Sequence, residues 1–249
     1  MIKKVWNTPE MQVYSLLADM LQQKHLLIAG ATGSGKSVLT NGLIYTALKD
    51  SPAAVQFILI DPKGVELQDY EHLPHVIKYA CNGSDMIAAL QTGLDITVNR
   101  FEEMKHKRMK EYDGSHVYII IDELADLMTT QKKSVIPIIQ RIGQIGRAAR
   151  VHMIACTQCP LATIIPTTIK VNFDSIVGLR TATSQHSRNI IGVKGCEDFP
   201  DPKEAGRALG YYRKGANLQL YNIPMQPQED IEKVVNYWTH TRPRLKFGT

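Results

Sequence analysis

Four cysteines in 249 residues are too few to staple a secreted fold, and no apolar stretch approaches the ~20 residues a membrane-crossing helix needs. The opening MIKKVWNTPEMQ carries two lysines with no apolar run behind them, so it is not written as a secretory leader. Together these absences make a cytoplasmic location, without a membrane segment, the expectation. CTQC at 156–159 is formally a CxxC pair, but no second pair or Cys/His neighbour completes four zinc ligands. No zinc is expected there, and the pair reads as the end of a strand. Neither sign of charge dominates: 29 lysines and arginines against 24 acids leave +5, which suits a polyanionic partner but does not require one. No repeat, low-complexity tract or interdomain linker breaks the chain, so residues 1–249 are expected to form one domain.

Short apolar runs alternate with segments of helical period. HLLIA (25–29), VQFILI (55–60), VYIII (117–121), VHMIAC (151–156) and SIVGLR (175–180) are apolar on both faces, as strands covered by helices on each side should be. Helices are expected over 36–49, over 85–110 with Ser84 as N-cap, and over 131–149, with Pro137 in its first turns. The alternation argues for an α/β fold with a mostly parallel, doubly wound sheet. After residue 200, GRALGYYR and NLQLYN around KGA read as an antiparallel hairpin. PQEDIEKVVNYWTH then reads as an amphipathic helix, and TRPRLKFGT as a loose basic tail.

GATGSGKS at 30–37 fits G-x-x-x-x-G-K-[ST], with a strand before it and a helix after it. Its glycines let successive N–H groups turn inward at a helix N-terminus, which makes a cradle for phosphates. Gly30, Ala31, Thr32, Gly33, Ser34, Gly35, Lys36, Ser37 and Val38 are the expected nucleotide-binding residues. Lys36 would serve the β- and γ-phosphates of ATP, and Ser37 would present a hydroxyl to Mg²⁺. VYIIIDELADLM ends a strand in Asp122 and Glu123. An acidic pair there can simply cap the next helix. About 85 residues after a phosphate loop, it instead suits a metal-side carboxylate, Asp122, beside a water-polarising one, Glu123. Gln158, at the tip of the next strand, suits a γ-phosphate sensor. Arg141, Arg147 and Arg150 surround a helix end, where dipole complementarity alone favours them. One of them could also serve as an arginine finger towards a neighbouring subunit.

Taken together, HLLIAGATGSGKSV, FILIDPKGVEL, IIIDELADLM, GRAARVHMIACTQ and HSRNIIG resemble the motor domain of the FtsK/SpoIIIE family of DNA translocases, over about residues 24–236. The remainder, 237–249, falls in the basic tail. The resemblance implies a RecA-like P-loop NTPase that assembles as a homo-oligomer, a hexameric ring around double-stranded DNA, and hydrolyses ATP to move it. It makes Lys36 and Ser37 the Walker A pair, Asp122 and Glu123 the Walker B pair, Gln158 the sensor and Arg147 the preferred finger. Asp61 and Lys63 fall in the family's DPK, with a switch-like or structural role. Lys170 and Arg188 match basic positions near the pore and are candidate DNA-phosphate contacts, with Lys132 and Lys133 behind them. Cys159 stands where the family usually has arginine, and Arg150 where it often has glycine. Only the motor is resembled, as in a protein of a mobile element or phage. An alternative within the superfamily is an ATPase of a conjugation or type VII secretion system that moves protein or a nucleoprotein. A third reading, a regulator using the nucleotide only as a switch, leaves Glu123 without a purpose.

Overall fold

The computed structural model describes residues 9–240, and side chains from Ser15 onward. The strands are β1 (His25–Ala29), β2 (Val55–Ile60), β3 (Val76–Ala80), β4 (His116–Ile121), β5 (Val151–Thr157), β6 (Ser175–Gly178), β7 (Ala208–Lys214) and β8 (Asn217–Ile223). The longer helices are α1 (Pro9–Gln22), α2 (Lys36–Ala47), α3 (Gly83–Lys107), α4 (Leu124–Thr130) and α5 (Lys132–Ile145). They are followed by α6 (Thr167–Lys170), α7 (Ser184–Ile191), α8 (Pro202–Ala205) and α9 (Gln228–His240). One sheet runs in the order β3-β2-β4-β5-β1-β6-β7-β8. Its pairings are parallel from β3 through β6 and antiparallel from β6 to β8.

Alternation along the strands sends the apolar residues to two faces. In β4, Val117, Ile119 and Ile121 join one core with residues of α3, α4 and α5, among them Leu90, Leu127 and Ile139. Tyr118 and Ile120 join the other, against Leu17 of α1, Leu39 and Leu43 of α2, and Ile231 of α9. Each side chain of this kind contributes about 1.5–3 kcal/mol by burial, so β4 is held from both sides. Trp238 closes the second layer, donating its indole N–H to the Leu48 carbonyl at 2.8 Å.

The expected strands are present, and the hairpin turns at Gly215 and Ala216 with Lys214 opposite Asn217. Several boundaries differ. β6 ends at Gly178 rather than at 180, although Leu179 still donates to the Ala29 carbonyl at 2.8 Å. α3 begins at Gly83, and its N-cap is Asn82, not Ser84: Asn82 Oδ1 accepts the Asp85 N–H at 3.3 Å. The helix at 36–49 stops at Ala47, and α3 at Lys107, where Arg108 takes φ 55°. α5 runs from Lys132 to Ile145, which keeps Pro137 within its first two turns, where the ring still removes one intrahelical donor. β3 and α1 were not anticipated: β3 is a half-exposed edge strand in which Lys78 interrupts the apolar run. TRPRLKFGT lies outside the described residues. No described helix is long and apolar enough to cross a membrane.

Candidate functional site

β1 has β5 on one side and β6 on the other, and the chain leaves its C-terminal end through Gly30. In doubly wound sheets this is where loops from neighbouring strands converge. A Cβ on Gly30 would lie 2.5 Å from Ser34 Oγ and 2.8 Å from Leu179 Cβ, so only glycine lets the loop fold back there. Gly35 has φ 99°, and a Cβ on it would meet Ala208 Cβ at 2.9 Å. α2 therefore starts abruptly at Lys36, with no side-chain cap and no acid in its first turn. Its first N–H groups and the positive end of its dipole face a cavity of about 390 Å³.

Lys36 and Ser37 line this cavity, and the loop holds the lysine in place. Its ammonium donates to the carbonyls of Gly30 at 2.7 Å and Ala31 at 2.9 Å. Burial pulls its pKa below the ordinary lysine range, opposed by Cys156, Glu123 and Asp122 nearby. Asp122, from the end of β4, lines the facing wall. Burial, then the charge of Glu66, lifts its pKa to about 6. Gln158, from the end of β5, completes that wall, and its Oε1 accepts the Thr32 hydroxyl at 2.7 Å. The loop residues Thr32, Gly33, Gly35 and Val38 are at the cavity, whereas Ser34 is buried beneath it.

Glu123 is placed differently from its neighbour. It is 4% exposed, its Oε1 accepts the Ala125 N–H at 3.1 Å as the N-cap of α4, and its Oε2 accepts the Gln158 N–H at 2.9 Å. The residue expected to polarise water thus caps a helix and holds the end of β5 at once. Asp61, fully buried, accepts three backbone N–H groups, those of Lys63, Gly64 and Leu67. That is a structural role, and it turns Lys63 and Glu66 to the cavity. The far end of the cavity is lined by Pro202, Lys203, Arg207, Ala208, Ile223 and Met225.

The remaining expected residues lie elsewhere. Arg147 follows α5 and precedes β5, at the edge where the parallel strands begin, opposite the edge that carries Lys36. It borders a separate cavity of about 580 Å³ with His116 and His152. It is exposed, and its guanidinium has no hydrogen bond or ion pair among the described residues, although its carbonyl accepts the Arg150 N–H at 3.1 Å. By contrast Arg150 bonds Glu111 and the Gly114 carbonyl, each at 3.1 Å, and Arg141 reaches Gln144 at 3.4 Å. Lys170 and Arg188 do come together, in a third cavity with Arg213. Lys170 is also engaged within the fold. Its ammonium donates to the carbonyls of Pro160 at 3.1 Å and Asn189 at 3.0 Å, and burial lowers its pKa. It ties two segments together, while Arg188 is exposed at the same cavity.

Sequence reasoning missed Glu66, Lys203, Arg207 and Arg213. Glu66 stood inside the quoted DPKGVEL and could have been found there. The others reach their cavities only through the sheet order, which no local pattern reports.

A family model described as the FtsK/SpoIIIE family matches residues 5–119 and 113–162. A DNA translocase FtsK of Streptococcus pneumoniae is 35% identical over 246 residues, which covers 88% of this chain and 31% of that protein. A DNA translocase FtsK of Lactococcus lactis subsp. cremoris is 36% identical over 200 residues, 72% of this chain and 26% of that protein. The chain therefore spans under a third of the length of these relatives. Among solved structures, the conjugation coupling protein TcpA of pCW3, in its monomer form with ATPgS, superposes with a TM-score of 0.74. It is 22% identical, over 88% of this chain and 66% of that one. The cytoplasmic domain of the type VII secretion ATPase EccC of Thermomonospora curvata gives a TM-score of 0.73 at 23% identity, over 89% of this chain and 28% of that one. The fold is that of these ATPases: a mostly parallel sheet ending in an antiparallel hairpin.

Proposed function

The chain belongs to the FtsK/SpoIIIE family, and on that premise we propose that it is an ATP-hydrolysing motor that moves double-stranded DNA. The observation that carries this reading is the uncapped start of α2, with Lys36 and Ser37, facing Asp122 and Gln158 across one cavity. The donor set fits a nucleoside triphosphate and its magnesium. Unclaimed N–H groups and an ammonium meet the phosphates, and a hydroxyl and a carboxylate stand on the metal side. The less polar end, formed by Pro202, Ala208, Ile223 and Met225, suits the base.

In this reading Ser37 and Asp122 would hold the cation, which would supply positive charge against the charge that develops on the phosphates. Lys36 leaves the Gly30 and Ala31 carbonyls for the phosphates. Gln158, already bonded to Thr32 in the phosphate loop, senses the terminal phosphate. Glu123 orients the attacking water once its carboxylate is freed from the Gln158 N–H, and accepts that water's proton. Arg147 is on the wrong edge of the sheet for its own nucleotide, which supports a finger acting in trans within a homo-oligomer, a hexameric ring of single-domain motors. Arg188, beside Arg213, contacts DNA phosphates, which carry no sequence information.

The deciding experiment is ATP turnover with and without duplex DNA. Stimulation by duplex DNA of any sequence is expected. Turnover that duplex DNA leaves unchanged would turn the reading towards a secretion-type ATPase, and no turnover at all towards a nucleotide switch.

A further inference from the structure

Between β2 and β3 a short loop brings an unassigned carboxylate to the nucleotide cavity. Asp61 fixes the loop by accepting N–H groups at 3.3 Å from Lys63, 3.0 Å from Gly64 and 2.9 Å from Leu67. Gly64 takes φ 65°, which glycine adopts freely, and Leu67 is buried in the core. Glu66 is thus carried between two anchored positions. Its carboxylate lines the cavity with Ser37, Lys63 and Asp122. It is exposed and has no hydrogen bond or ion pair among the described residues.

The acids of this region differ in availability. Glu123 is buried, with both oxygens engaged by backbone N–H groups. Asp61 is buried and spent on its own loop. Asp122 and Glu66 are left lining the cavity together with Ser37. Two carboxylates and a serine hydroxyl that line one cavity suit a divalent cation, whose charge offsets their like charges. Magnesium keeps several of its waters and is held through one or two carboxylates plus phosphates, so it uses acceptors that face those waters.

Resting on the nucleotide-binding reading above, we propose that Glu66 is the second carboxylate of the divalent-cation site, accepting hydrogen bonds from the cation's waters. The consequence is two-sided. Without metal, Glu66 repels the nucleotide's phosphates; with metal, it adds to the cation's hold.

The test compares ADP affinity in EDTA with that in Mg²⁺, by calorimetry, for the native chain, Glu66→Gln and Glu71→Gln. Mn²⁺ binding in the presence of ADP is followed by electron paramagnetic resonance. For Glu66→Gln, the metal-dependent gain in ADP affinity is expected to shrink about 10-fold or more, with Mn²⁺ bound correspondingly more weakly. Affinity in EDTA is expected to be equal or higher. Glu71→Gln, an exposed acid nearby, should match the native chain throughout. An unchanged metal dependence in Glu66→Gln would overturn the proposal. So would equal losses with and without metal together with a lower melting temperature, which would make Glu66 a support of the loop. If the native chain bound no ADP under either condition, the nucleotide reading itself would fail.

Discussion

Glu123 Oε2 accepts the backbone N–H of Gln158 at 2.9 Å, joining the ends of β4 and β5 directly behind the cavity. Since Gln158 Oε1 in turn accepts the Thr32 hydroxyl at 2.7 Å, a chain of polar contacts runs from Glu123 through Gln158 to the glycine-rich loop. Glu123→Gln leaves one acceptor oxygen but faces an N–H with an amide if the other contact is kept. A fall in turnover of about 100-fold or more is expected, with nucleotide binding retained. Equilibrium binding of a fluorescent ATP analogue beside steady-state hydrolysis checks both halves.

Arg147→Ala should leave nucleotide affinity within about 2-fold, because its edge of the sheet is remote from the chain's own cavity, yet abolish at least 99% of turnover. Mixing it with Lys36→Ala should restore part of the activity, since a sound finger then meets a sound cavity. Mixtures as inactive as either variant alone would refute action in trans.

Gly35→Ala places a Cβ at φ 99°, 2.9 Å from Ala208 Cβ. The backbone strain alone is about 1–2 kcal/mol, which lowers the melting temperature by about 2–8 °C in a chain of this size. Nucleotide affinity should fall as well, because relief of the clash tilts the start of α2. Thermal unfolding and ADP titration measure the two effects.

Arg188→Ala should weaken duplex DNA binding alike for all sequences and reduce the slope of log affinity against log salt by about 1. Lys170→Ala should barely alter that slope and should instead lower the melting temperature, because its ammonium holds the Pro160 and Asn189 carbonyls. Fluorescence anisotropy across a salt series separates the two residues.

Stability should decline in mild acid. Burial depresses His25 to about 3 and His152 to about 4, against an ordinary value of 6.5. Depressed folded-state values mean that the unfolded chain takes up protons first. The contribution of these histidines is therefore complete above pH 6.5 and is lost as pH falls towards 4 and then 3. Each should account for on the order of 2 kcal/mol between pH 7 and 4.5. Melting temperature measured across that range should fall, and His152→Gln, less stable at pH 7, should show a shallower slope.

The strands were legible because a sheet buried on both sides writes each one as an unbroken apolar run. The phosphate loop was legible because all its parts are neighbours in sequence. β3 was not, since Lys78 and half-exposed residues at a sheet edge relax the pattern. Ser84 reads as the cap of α3 because serine and asparagine compete for that role; Asn82, at the right distance from the Asp85 N–H, fills it. The twin contacts of Glu123 could not be read, because they depend on β5 lying beside β4, although Val117 and Val151 are distant in sequence. The same holds for Lys203 and Arg207, which reach the cavity only because β7 follows β6 across the sheet.

Because the parallel strands all point one way, the edge that carries Arg147 and the edge that carries Lys36 are unlike surfaces. Any assembly that joins them is head-to-tail and has a handed direction of travel around its circumference. In an incomplete arc the first member would carry an empty half-site and the last an idle arginine. Hydrolysis would then rise more steeply than linearly with subunit concentration until the circle closes.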